Sequence, residues 1–62
     1  MRKIRCLYLI RTIQLPNGLH SDTIMVERHR IAVKEVEGGY EAVKGRRALF
    51  IPQAWCAAEF EP

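Results

Sequence analysis

The chain is expected to be an all-β protein: a small five-stranded antiparallel barrel or meander, with a 3₁₀ turn or short helix near residues 52–58. Three observations predict this. Apolar and β-branched runs such as Ile4–Leu15 recur along the chain. Turn residues punctuate them at Pro16-Asn17-Gly18, Glu37-Gly38-Gly39 and Gly45-Arg46. The spacing between turns is short, which suits a meander.

The elements follow in order. Ile4 to Leu15 is rich in Ile, Leu, Tyr and Thr, residues that suit a strand. At Pro16-Asn17-Gly18, proline pre-sets the first turn dihedral, while asparagine and glycine tolerate positive φ. This is the clearest hairpin signal in the chain. Thr23 to Val36 is long for one strand, and a break near Glu27–His29 would make it two. Tyr40 to Lys44 is a short strand. Arg47 to Ile51 is another, with Leu49 and Ile51 opposite Ala48 and Phe50. A core this small is expected to take Phe50, and Trp55 in part. Pro52 to Phe60 reads two ways: a helix with proline at its first position, or one 3₁₀ turn and a closing strand.

Size bounds the rest. Residues 1–62 are expected to form a single small β domain. A chain this short buries only about 60% of the surface its unfolded form exposes. That leaves no room for a cofactor domain, a closed cleft and a scaffold together. Cys6 and Cys56 lack the Cys-x-x-Cys spacing of redox or zinc-ribbon sites, and they read as reduced core thiols, with an end-joining disulfide as the alternative. The apolar run Cys6–Ile10 is too short for a signal peptide, and no stretch approaches the roughly 20 residues of a spanning helix. A cytoplasmic protein without membrane association is expected.

The stretch from Arg30 to Phe60 resembles the second half of a Src-homology-three domain. Phe50-Ile51-Pro52-Gln53-Ala54-Trp55-Cys56 matches that family's hydrophobic-Pro-x-x-aromatic 3₁₀ segment. Gly39-Tyr40-Glu41-Ala42 sits where its aromatic-rich strand begins, and Cys6-Leu7-Tyr8-Leu9-Ile10 resembles its Ala-Leu-Tyr strand. The resemblance implies a five-stranded small barrel, with the first hairpin in place of the family's first long loop. It also implies a groove partly built by Tyr8, Pro52 and Trp55. The family's groove tryptophan falls at Gly39 or Tyr40, so that wall is missing or altered. The acidic first loop is absent too, since Asp22 is flanked by Arg11, His20 and Arg28.

Catalytic readings find little. A Cys–His pair from Cys6 or Cys56 with His20 or His29 has no orienting third group in the sequence. Glu35/Glu37 and Glu59/Glu61 are carboxylate pairs on strand edges with no cavity implied. The same two His and two Cys show no metal-ligand spacing, and no phosphate-binding glycine loop occurs. No catalytic residue, metal or cofactor is expected.

Charge is the remaining feature. Ten Lys and Arg face seven Asp and Glu, for a net +3, and seven of the ten cations are arginine. Residues 1–20 carry +4, residues 21–45 carry −1, and residues 46–62 balance. A hairpin centred on Asn17-Gly18 pairs residue i with 35 − i, which sets Thr12 opposite Thr23. Carried further, this register sets Arg5 opposite Arg30, a like-charge pair that an anion would relieve. The expected function is therefore non-enzymatic binding of nucleic acid or another polyanion. It would use Arg5, Arg11, Arg28, Arg30, Arg46 and Arg47, with Tyr40 or Trp55 stacking and the first hairpin as the binding face. The alternative is a protein-interaction module or small inhibitor that docks on an acidic surface of a larger protein, of the kind phages and mobile elements use against host defence. Exposed strand edges and a small core favour a homodimer as well.

Overall fold

In the computed structural model, which describes residues 2–62, the β content takes the form of six strands in two antiparallel sheets. β1 (Ile4–Gln14) and β2 (His20–Met25) form the first hairpin. One helical turn, α1 (Val26–His29), follows. β3 (Ala32–Val36), β4 (Gly39–Lys44) and β5 (Arg47–Pro52) are a meander. A 3₁₀ turn at Gln53–Trp55 then leads into β6 (Cys56–Phe60). The sheet orders are β2-β1-β6 and β3-β4-β5, and the sheets do not close into a barrel. The strands number six because α1 divides the run from Thr23 to Val36 close to the expected break. Of the two readings of the C-terminus, the 3₁₀ turn with a closing strand is the one present.

The first turn corrects the expected register. Gly18 N–H donates to Leu15 O at 2.9 Å, and Leu15 N–H donates to Leu19 O at 2.7 Å. Pro16, Asn17 and Gly18 therefore form a three-residue loop, with Gly18 at φ 89°. Gln14 pairs with His20, one residue off the two-residue expectation. A second irregularity between Tyr8 and Ile13 shifts the pairing again, to Tyr8 with Thr23 and Cys6 with Met25. Thr12 does not face Thr23, and Arg5 does not face Arg30. Arg30 lies beyond α1 as its left-handed cap, at φ 56°.

The other turns follow local chemistry. Gly38 (φ 82°) closes the β3–β4 turn. Gly45 (φ 60°) occupies the first central position of the β4–β5 turn, as a type II′ turn requires.

The core draws on both sheets: Ile4, Leu7 and Ile24 from one, Ala42 and Ile51 from the other, with Leu15 and Ile31 from the connections. Phe50 is not part of it. Leu49 and Ile51 share the inward parity of β5, which leaves Phe50 on the outer face, 51% exposed.

One backbone approach joins these parts. Gly39 pairs with both Val36 and Pro52. A Cβ there would overlap the Ile51 carbonyl oxygen and lie 3.0 Å from the Gln53 nitrogen. Those neighbours are backbone and cannot rotate away. Replacing Gly39 with alanine is expected to cost about 3 kcal/mol or more, enough to unfold much of the population of so small a core. Urea denaturation followed by circular dichroism checks this; a midpoint equal to wild type would refute it.

Candidate functional site

The cations divide into engaged and free groups. On the first hairpin, Arg5 Nε lies 3.5 Å from Glu59 Oε2. Arg2 lies 3.8 Å from Glu35 Oε1, with its guanidinium 4.0 Å from the Phe60 ring centre. The Arg11 guanidinium sits 5.3 Å from the Trp55 ring centre. Lys34 pairs with Glu41 across β3–β4 at 3.4 Å. All three ion pairs are exposed, so each is worth well under about 1 kcal/mol. They still place acidic charge beside three of the cations.

At the far end of the second sheet the arrangement is different. Lys44 and Arg47 are direct cross-strand partners at the β4–β5 turn, with Arg46 in the turn itself. Arg30, the left-handed cap of α1, lies two residues before Ala32, where the β3–β4 pairing begins opposite Val43. Among the described residues none of these four cations has an acidic partner. They carry +4, and the remaining six cations and seven acids sum to −1. Arg46 and Arg47 border a shallow groove with Leu49; its other wall is Gln14, Leu15 and Pro16 at the base of the first turn. The like-charge pair expected from Arg5 and Arg30 is thus built by Lys44 and Arg47. Lys44 lay outside the six cations singled out from the sequence. Its distance from Arg47 in sequence, bridged by a Gly-first turn, is the signal that points to it.

The other candidate residues disperse. Arg28 lies apart from this end, with Arg5, Met25 and Glu27 around a separate hollow. Tyr40 is half-buried against the core, and Gly39 has no room for a side chain. Of the two positions where the resemblance places the family's tryptophan, one has no side chain and the other packs against the core. Trp55 is 41% exposed beneath Arg11.

Cys6 and Cys56 are both free thiols. Cys6 pairs with Glu59, and Cys56 with Leu9, so they stand on opposite faces of one sheet and cannot bridge. Burial pushes both thiols up, away from the reactive thiolate. His29 Nδ1 is occupied as well, accepting the Met25 N–H at 3.1 Å. Among the described residues, no three His, Cys, Asp or Glu side chains gather in metal-binding geometry. No helix there is long and apolar enough to cross a membrane. No protein-family model matches the chain, and neither a curated protein nor a solved structure matches it.

Tyr8 supplies a pH handle. Its hydroxyl donates to Glu59 Oε1 at 2.6 Å. Chiefly because that carboxylate holds the proton, the phenol is pushed up to about 12. A folded-state value above the ordinary 10 means the bond is present below that pH and is lost as pH rises toward 12. Phenolate absorbance should therefore show one tyrosine titrating near 12, and Glu59→Gln should return it toward 10. Identical titration curves for the two proteins would refute the assignment.

Proposed function

We propose that the protein is a small non-enzymatic binding protein that contacts nucleic acid or another polyanion through Arg30, Lys44, Arg46 and Arg47. The observation that carries this reading is the direct pairing of Lys44 with Arg47, neither of which has an ion-pair partner among the described residues. Like charges opposite one another on a sheet are unfavourable, and an anion between them removes the penalty. Arginine adds bidentate geometry suited to phosphate oxygens.

Arg30 supports the same reading. It is the one non-glycine residue with positive φ among the described residues. A left-handed arginine costs roughly 1–2 kcal/mol that glycine would avoid. Local strain retained at a charged, unpartnered side chain fits a binding role. The succession of a long hairpin, a meander, a 3₁₀ turn and a closing strand also supports a likeness to the Src-homology-three architecture. The binding role rests on the cations, since a shared architecture does not carry a function with it.

A second reading is favoured by a separate observation. Trp55 under Arg11 combines two residue types that dominate protein–protein hot spots. In that reading the chain docks on the acidic surface of a larger protein.

Fluorescence titration of labelled single- and double-stranded oligonucleotides at several salt concentrations separates the two. Polyanion binding predicts that log affinity falls linearly with log salt, and that Arg46→Glu with Arg47→Glu flattens the slope by about 2. Arg30→Gly should weaken binding while leaving stability unchanged or raised by up to about 1 kcal/mol. No binding to any nucleic acid at low salt would overturn the first reading. A stoichiometric, nuclease-resistant protein partner lost on Trp55→Ala would establish the second.

A further inference from the structure

The outer face of the β2-β1-β6 sheet breaks the usual antiparallel pattern of one buried and one polar face. The register fixes its composition. Cys6 is opposite Met25 and Glu59, and Tyr8 is opposite Thr23 and Ala57. Ile10 shares their parity on β1. The inward parity is taken by Leu7, Ile24 and Ala58. Six of the outward positions are therefore Cys, Met, Tyr, Thr, Ala and Ile, of which Cys6 is itself covered by its neighbours. Ile10 is 65% exposed, Tyr8 49% and Met25 39%.

The polar groups of this face satisfy one another. Glu59 gives one carboxylate oxygen to the Tyr8 hydroxyl and the other to Arg5. The patch has no net charge, although the chain carries +3. The molecule also exposes 4655 Å², where a compact monomer of 7.2 kDa would expose about 4,100 Å².

We infer that this face is a self-association surface, on which a second copy of the chain docks about a two-fold axis. Charge permits a second copy as the occupant, and self-complementarity of the face argues for it. Two chains of +3 repel wherever their free cations meet, and this neutral face holds none of Arg30, Lys44, Arg46 and Arg47. A two-fold contact must be complementary to itself. Arg5 and Glu59 meet that condition, because each can exchange its partner for the other copy's across the axis. Tyr8, Ile10 and Met25 supply the apolar centre. The inference stands apart from the polyanion reading and uses none of its residues.

Size sets the strength. The molecule measures 28 × 21 × 18 Å, so one face offers each copy at most about 600 Å². That is the low end of specific interfaces, where association is weak, and about 10⁻⁵ to 10⁻⁴ M is the range in which a monomer–dimer transition is sought.

Sedimentation equilibrium of the full chain across that range tests the inference. Wild type should pass from monomer to dimer. Ile10→Arg should weaken association at least tenfold while its circular dichroism and melting match wild type. Lys44→Glu, away from the face, should dimerise at least as well as wild type. A wild-type chain that stays monomeric at about 1 mM, well above that range, would overturn the inference. So would a dimer that Ile10→Arg leaves intact, since association would then use another surface.

Discussion

The architecture depends on the contact at Gly39. There the backbone of β4 presses against Ile51 and Gln53 with no space for a side chain. The neighbouring Gly38 carbonyl accepts the Gln53 N–H at 3.0 Å, which pins the 3₁₀ turn beneath the β3–β4 turn. From that anchor β6 runs back along β1 and joins the two sheets into one body. Trp55 reaches Arg11, and Glu59 reaches Arg5 and Tyr8, only because β6 is launched from this point. A large core could absorb an error here. A core of seven clustered residues has little reserve.

The charge pattern inherits that geometry. β6 delivers Glu59 to the first hairpin, and β3 and β4 deliver Glu35 and Glu41 to Arg2 and Lys34. Among the described residues, no acid forms an ion pair with Lys44, Arg46 or Arg47 at the β4–β5 turn. Net charge alone therefore understates the local field: Lys44, Arg46 and Arg47 put +3 at one end, while the other seven cations balance the seven acids. An exposed ion pair adds little stability. Its larger effect here is to leave the field concentrated where no carboxylate lies.

Much of the fold was legible because turns are written locally. Pro16-Asn17-Gly18, Gly38 and Gly45 each announce a turn through the dihedrals those residues allow. Register was less legible. A three-residue loop and an irregularity between Tyr8 and Ile13 shift the hairpin pairing, and neither leaves a mark in composition. The parity of Arg47–Ile51 was readable, but which parity faces the core was not. Phe50 faces out because Ile51 meets Gly39's strand from the inside. The candidate site was half legible. Arg46 and Arg47 stand out as a basic turn, whereas the engagement of Arg5 depends on Glu59, which lies 54 positions away.

Self-association and anion binding would reinforce one another without sharing a residue. A two-fold dimer carries two copies of the Lys44, Arg46 and Arg47 cluster at a fixed separation. A polyanion long enough to span both meets the second cluster as an intramolecular partner, at an effective concentration set by that separation. Modest affinity at each cluster then suffices, which suits a surface without an enclosed pocket. The same coupling runs in reverse: a bridging polyanion screens the +3 on each chain and favours the dimer. A short anion that occupies one cluster gains nothing from the second. Length of the polyanion, more than its sequence, is therefore the property such a dimer would discriminate.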